Sequence, residues 1–223
     1  MRSIFIPVAC GTALSLAVAG AAAAGCDAPS PKTLLERFVP ADCESCWASA
    51  KDQEQPGDVL VLDWITPAGD AAPMASAALP VALTRLGSTP AKETALRRAT
   101  LLKPDASPLR VVDGPAWNGY VALQLSVDRD AALPPGAVAY VALVERVPAG
   151  SEGSAIARQL VRELVGPLSL HELASKERVQ HLHAVRLPPT DRPERLASVG
   201  WVETAQGTVI AAAPSPPAGC AGR

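Results

Sequence analysis

The chain contains 223 residues, of which 48% are hydrophobic and 19% are charged, and its formal net charge is −2. This composition excludes a disordered, highly charged polymer, and the lack of a basic excess argues against a nucleic-acid partner. Only one long apolar run is present, at the N-terminus, so a protein with several membrane-spanning helices is also excluded.

The N-terminus has the pattern of an export signal. Arg2 precedes an apolar run over residues 4–19, and a stretch of Ala and Gly follows it. This pattern is typical of a signal peptide, here residues 1–24, that is cleaved after Ala24. We therefore expect an exported protein, periplasmic or secreted. An uncleaved membrane anchor is the alternative.

The segment after the signal reads as strand, cysteine motif, helix, strand. Residues 33–39 form a short apolar run of strand length, and Cys43 and Cys46 follow with two residues between them. Residues 47–53 are predicted to be helical. Residues 58–64 form a near-continuous apolar run, which is typical of a strand buried on both faces.

Two further elements are predicted before residue 104. The apolar run 80–86 is predicted to be a strand. Thr89 and Pro90 then supply a helix N-cap and a proline at the first helical position, which predict a helix over 91–102.

The chain beyond residue 108 has mainly β character, and we expect a β-rich, sandwich-like domain over 108–212 with a loose tail over 213–223. Asn118 and Gly119 predict a tight turn because both residues tolerate positive φ. The spacing of Ile156, Leu160 and Leu164 favours a helix over 154–165. The predicted strands of this half are residues 120–128, 137–147, 178–187, 196–204 and 208–212.

The Cys43-Glu-Ser-Cys46 motif is the local pattern with a defined chemistry. A cysteine at a helix start is stabilised as thiolate by nearby N–H groups, so Cys43 would attack a target disulfide and Cys46 would resolve the mixed disulfide. Asp42 and Glu44 oppose this effect because their charges disfavour a thiolate. The alternative roles for the motif are a static structural disulfide and a metal site. One such motif supplies only two of the four ligands of a closed zinc site.

Residues 36–46 (ERFVPADCESC) and 59–64 (VLVLDW) resemble a secreted bacterial family of uncharacterised function. The N-terminal half of that family is thioredoxin-like and its C-terminal half is β-rich. Residues 152–162 and 199–203 look similar to its second half. The resemblance extends over about residues 33–212 and is most specific around the two cysteines.

This resemblance implies an α/β thioredoxin-like domain over residues 33–103, shortened, followed by the β-rich domain. It implies thiol–disulfide oxidoreductase chemistry on exported proteins that carry thiols or disulfides, without a cofactor. Thioredoxin-like sites place a cis-proline against the cysteine motif, and Pro80 is the candidate, with Pro108 as the alternative. The rival interpretation is a non-enzymatic, envelope-associated binding module whose Cys43–Cys46 disulfide is structural.

Two alternative modifications are predicted for Cys26, a disulfide and a lipid. Once Cys43 and Cys46 pair, Cys26 and Cys220 remain in the cleaved chain, and an oxidising compartment would let them form a disulfide between the two ends. Residues 23–26 (AAGC) also resemble a bacterial lipobox, so lipidation of Cys26 would tether the protein to a membrane surface.

His181 and His183 would share one face of a strand. A His-x-His pair is able to chelate a metal, but it is more often a solvated pair. The sequence therefore predicts no metal site.

Overall fold

The computed structural model describes residues 30–51, 57–87, 92–104, 109–128, 133–170, 178–188, 192–217 and 220. The predicted signal peptide and Cys26 lie outside these residues. The described strands are β1 (Thr33–Pro40), β2 (Val59–Thr66), β3 (Ala95–Thr100), β4 (Leu109–Asp113), β5 (Tyr120–Asp128), β6 (Val138–Val147), β7 (Arg158–Ser169), β8 (Arg178–Arg186), β9 (Leu196–Glu203) and β10 (Val209–Pro214). The described α-helices are α1 (Glu44–Ala48) and α2 (Pro80–Leu86). No helix among the described residues is both long enough and apolar enough to span a membrane.

The strands form two sheets, and the protein is mostly β. The larger sheet has seven strands in the order β10-β9-β6-β7-β2-β1-β3, and the smaller one has the order β4-β5-β8. β1 and β7 both run parallel to β2, whereas the other pairs are antiparallel. The large sheet is therefore mixed.

The two predicted domains, residues 33–103 and 108–212, both contribute strands to the large sheet. β2 from the first half pairs with β7 from the second, at Asp63 and Leu160. The end of the first half also contacts the second half, because Lys103 N–H donates to the Ile210 carbonyl on β10. Both halves thus contribute to one continuous hydrogen-bonded sheet.

The two faces of the large sheet are covered differently. One face carries Phe38, Trp64 and Trp201 together with Ala82 of α2. On the other face, Trp47 of α1 packs with Val39 and Ile65 at the β1–β2 side. The three-stranded sheet packs over β6, β9 and β10 on that same face. The cysteine motif and the three-stranded sheet therefore lie on one side of the large sheet.

Most predicted strands are confirmed, namely those that became β1, β2, β5, β6, β8, β9 and β10. Trp117 and Tyr120 pair across Asn118 and Gly119, whose φ angles are both positive, which confirms the predicted tight turn. The tail is less loose than predicted, because Ser215 is buried and its N–H donates to the Ser198 carbonyl.

Two predictions of element type between residues 80 and 102 are wrong. The run 80–86 is the helix α2, because Pro80 occupies its first turn and Gly87 ends it in a left-handed conformation. The predicted helix over 91–102 contains the edge strand β3, whose burial alternates residue by residue. Arg97 lies on the inward side of β3 because its guanidinium pairs with Glu36, and this inward charge conceals the alternation in the sequence.

The predicted helix over 154–165 is also wrong. Residues from Arg158 onward form β7, which lies between β6 and β2 in the large sheet. Val161 and Leu164 face one hydrophobic cluster, whereas Leu160 and Val165 face clusters on the other side. An apolar run buried on both faces resembles a helical stripe, so periodicity alone does not separate the two. The predicted helix at 47–53 is shorter and begins earlier, at Glu44.

Candidate functional site

Cys43 and Cys46 lie at the start of α1, directly after the turn that ends β1. Cys43 N–H donates to the Pro40 carbonyl at 3.0 Å, and Cys43 is the N-cap residue of α1. The two cysteines form a disulfide with Cα atoms 5.2 Å apart, and both are only partly buried. The disulfide is therefore partly accessible to solvent.

The backbone of α1 contributes directly to the chemistry of Cys43. The N–H of Cys46 points at Cys43 Sγ, with a distance of 3.2 Å. A hydrogen-bond donor at a sulfur favours the charged form of the reduced cysteine. This contact acts against the charges of Asp42 and Glu44, which are both exposed to water.

Trp47 fixes α1 to the sheet. Its side chain is buried, and its indole Nε1–H donates to the Glu152 carbonyl at 2.8 Å. The Arg158 guanidinium lies 4.6 Å from the centre of the Trp47 ring and donates to the Trp47 carbonyl at 2.6 Å. The same guanidinium donates to the Ser49 carbonyl at 3.3 Å, so Arg158 satisfies carbonyls at the C-terminal end of α1.

Arg158 is itself held by a buried group of charges, which we call the buried triad: Arg37, Asp63 and Arg158. Asp63 Oδ1 accepts from Arg37 Nε at 2.7 Å and from Arg158 Nη1 at 3.0 Å. Asp63 Oδ2 accepts from Arg37 Nη2 at 2.9 Å. Arg37 and Asp63 are 0% exposed, so these ion pairs lie in a low-dielectric interior where breaking one is costly.

Sequence reasoning missed the buried triad. Arg37 and Asp63 each interrupt an apolar run that forms a strand. A charge inside a buried strand is a signal that a partner of opposite charge lies nearby. The partners are 26 and 95 residues away from Asp63, so the sequence alone does not identify them.

An open pocket of about 710 Å³ lies beside α1. Trp47, Ile65 and Leu160 provide apolar lining, whereas Glu44 and Arg162 provide charged lining. The segment that follows β2 forms another wall and is anchored there because Met74 N–H donates to the Ala41 carbonyl at 3.0 Å. The arrangement offers a mixed apolar and charged surface next to the disulfide.

The structure does not support Pro80 as a cis-proline beside the cysteines. Pro80 begins α2, which packs on the opposite face of the sheet from α1. Among the described residues the cis peptide bond is Gly166–Pro167, and the proline that lines the pocket is Pro73. The alternative, Pro108, lies outside the described residues.

A second group of buried charges lies on the α2 side of the sheet and connects α2 to strands of both halves. Arg85 donates to Glu36 at 2.9 Å and to Glu203 at 2.7 Å. The guanidinium lies 5.0 Å from the Tyr140 ring centre and 5.1 Å from that of Trp201. Burial lowers the pKa of Arg85, but hydrogen bonds and charge from Glu203 and Glu36 outweigh it, so the pKa is raised. Arg85 therefore stays charged, and its role is to fix α2.

The remaining predicted site residues are placed as follows. Cys220 is disulfide-bonded, and its predicted partner Cys26 lies outside the described residues, so the Cys26–Cys220 pair stays a prediction. His181 and His183 lie on β8, far along the chain from the cysteine motif. Neither histidine lines the pocket beside α1.

No protein-family model and no curated protein matches the chain. Among solved structures, the chain is similar to HBP35 of Porphyromonas gingivalis, with a TM-score of 0.53 and 11% sequence identity. The similarity covers 85% of this chain and 78% of that chain. At this level of identity the likeness concerns the fold alone.

Proposed function

We propose that the protein performs thiol–disulfide exchange on other exported proteins through Cys43 and Cys46. The observation that carries the proposal is the partly exposed Cys43–Cys46 disulfide at the start of α1. The open pocket beside it gives a target chain a surface on which to lie.

The exchange proceeds in two steps. In the reduced protein, the Cys43 thiolate attacks one sulfur of a target disulfide, which releases the other target sulfur as a thiolate that takes a proton from water. The Cys46 thiolate, its proton lost to solvent, then attacks Cys43 Sγ. The Cys43–Cys46 bond forms, the mixed disulfide breaks, and two electrons have passed to the target. The reverse sequence oxidises a target dithiol.

Cys43 is the nucleophile in this proposal because its sulfur receives the N–H of Cys46 at 3.2 Å. Cys46 lies within α1, so it is placed to attack the sulfur of Cys43 from inside the first turn. Asp42 and Glu44 limit the stability of the thiolate, and we therefore expect an exchange protein that is less oxidising than the strongest known oxidants.

A purely structural disulfide is the rival. In the chain-entropy model a disulfide that closes a loop of only a few residues contributes about 2 kcal/mol. The position of α1 is already fixed by Trp47, Arg158 and the buried triad. The disulfide therefore adds little to the stability of α1, which favours a role in exchange.

We also propose a thioredoxin-like origin for the N-terminal half. Two parallel strands, β1 and β2, flank the cysteine motif, and the resemblance of residues 36–46 to the secreted bacterial family supports the same interpretation. The signal-like N-terminus supports an exported location, with lipidation of Cys26 as the membrane-tethered alternative.

Trapping with single-cysteine variants tests the exchange. The Cys46→Ser variant should form a stable mixed disulfide with a disulfide-linked test peptide, whereas the matched Cys43→Ser variant should not. The reduction potential of the Cys43–Cys46 pair should lie between about −270 and −120 mV. A potential below about −300 mV, with no trapped peptide, contradicts the proposal and favours the structural disulfide.

A further inference from the structure

The three-stranded sheet has one face that points away from the large sheet. Val121, Leu123 and Leu125 of β5 belong to the buried cluster between the two sheets. Side chains alternate along a strand, so the residues between these three point outward, and directly paired residues of the neighbouring strands share that face. This surface, which we call the outer face, includes Arg110, Tyr120, Gln124, Leu182 and Arg186.

Three large apolar side chains project from the outer face. Trp117 joins it at the tight turn, because Trp117 and Tyr120 exchange backbone hydrogen bonds of 2.8 and 2.9 Å and such a pair has its side chains on one side. Leu182 pairs with the outward residue Gln124. Trp117 is 82% exposed, Leu182 70% and Tyr120 47%. Large apolar side chains gathered on one exposed face mark an interaction surface.

The outer face is positively charged, although the whole chain has a net charge of −2. Arg186 pairs with Tyr120 and Arg110 pairs with Ser126, and both arginines are exposed. Among the described residues of this face, from Tyr120 to Ser126 and at the positions paired with them, none is an aspartate or a glutamate. The next outward residue, Asp128, lies opposite Arg178. The face therefore attracts an anionic partner and repels the same face of a second copy.

We propose that the outer face docks on the surface of an anionic phospholipid bilayer. Trp117 and Tyr120 each combine an apolar ring with one polar atom, which suits the boundary between headgroups and acyl chains. Arg110 and Arg186 pair with lipid phosphates. Projecting apolar side chains enter a deformable bilayer directly, whereas an acidic protein would have to supply a matching cavity for each. This surface is independent of the proposed exchange chemistry.

Tryptophan fluorescence tests the contact at the outer face itself. The apolar run 4–19 would by itself carry the full chain to a vesicle, so co-sedimentation is not sufficient. Trp117 is one of four tryptophans, and the other three, Trp47, Trp64 and Trp201, are buried. Brominated acyl chains quench a tryptophan only at short range. Vesicles of phosphatidylglycerol and brominated phosphatidylcholine should therefore quench the emission of the full chain, and the Trp117→Phe variant should lose this quenching.

The charge is tested with Arg186→Gln, which should raise the vesicle concentration at half-maximal quenching about fivefold. The matched control is Arg98→Gln, because Arg98 is an exposed arginine on β3, and its midpoint should equal that of the unchanged protein. Absence of quenching in the unchanged protein overturns the proposal, even if the protein sediments with the vesicles, and leaves an acidic protein as the partner. Equal quenching by vesicles of brominated phosphatidylcholine alone, or equal midpoints for the two arginine variants, also overturns it.

Discussion

Arg158 contacts Trp47 twice: its guanidinium lies 4.6 Å from the centre of the indole ring and donates to the carbonyl of the same residue at 2.6 Å. Arg158 belongs to β7 and Trp47 to α1, and the two are 111 residues apart in the sequence. This contact fixes α1, at whose start Cys43 and Cys46 lie, to the large sheet. The geometry of the cysteine motif therefore depends on residues of the C-terminal half.

The Arg158→Leu substitution should destabilise the protein by about 3–5 kcal/mol, because it leaves the carboxylate of Asp63 with one buried partner fewer. Denaturant unfolding followed by tryptophan fluorescence measures the change. The control is Arg192→Leu, since the Arg192 side chain is 48% exposed in its ion pair with Glu152 and should cost less than about 1 kcal/mol. A loss below 1 kcal/mol for Arg158→Leu contradicts the role given to the buried triad.

Replacing both cysteines, in the Cys43→Ser/Cys46→Ser variant, should lower the free energy of unfolding by no more than about 2 kcal/mol. The reason is that the closed loop is short and α1 is held by Trp47. Urea titrations of the variant and of the unchanged oxidised protein measure the difference. A loss of 4 kcal/mol or more would mean that the disulfide has a mainly structural role, which would favour the rival to the exchange proposal.

Arg85→Met should destabilise the protein by about 3–5 kcal/mol, because it leaves Glu36 and Glu203 buried beside an apolar side chain. Thermal unfolding monitored by circular dichroism is a suitable measurement. Arg98→Met is the matched control: Arg98 is an exposed arginine on β3, and its replacement should change stability by no more than about 0.5 kcal/mol. Similar melting temperatures for the two variants would contradict the account of α2.

Much of the fold follows from local sequence pattern. β5 alternates between the two faces of its sheet, and β2 is apolar on both faces, so each has a pattern that predicts a strand. β3 is not predicted by its local pattern, because Arg97 faces inward and pairs with Glu36, which is 61 residues away in the sequence. α2 has a local signal, Pro80 at its start and Gly87 at its end, which its apolar content concealed.

The candidate site could also be predicted only in part. The cysteine pair is visible in the sequence because its chemistry depends on a spacing of three residues. The residues that position it are not visible, because Asp63 acquires its partners only when β2 lies beside β1 and β7. The join between the two predicted domains is missed for the same reason: the pairing of β2 with β7 has no local sequence signal.

Gly200 permits the two sheets to pack closely, because a Cβ atom at this position would overlap Cγ2 of Val111 on β4. The Gly200→Ala substitution should therefore destabilise the protein by about 1–3 kcal/mol through overpacking. Val111→Ala removes the opposing methyl groups, so the double variant should be more stable than the sum of the two single losses predicts, by at least about 0.5 kcal/mol. Denaturant unfolding of all four proteins completes the double-mutant cycle. Strict additivity would show that the two residues are not in contact. The packing of the three-stranded sheet against β9 described here would then be incorrect.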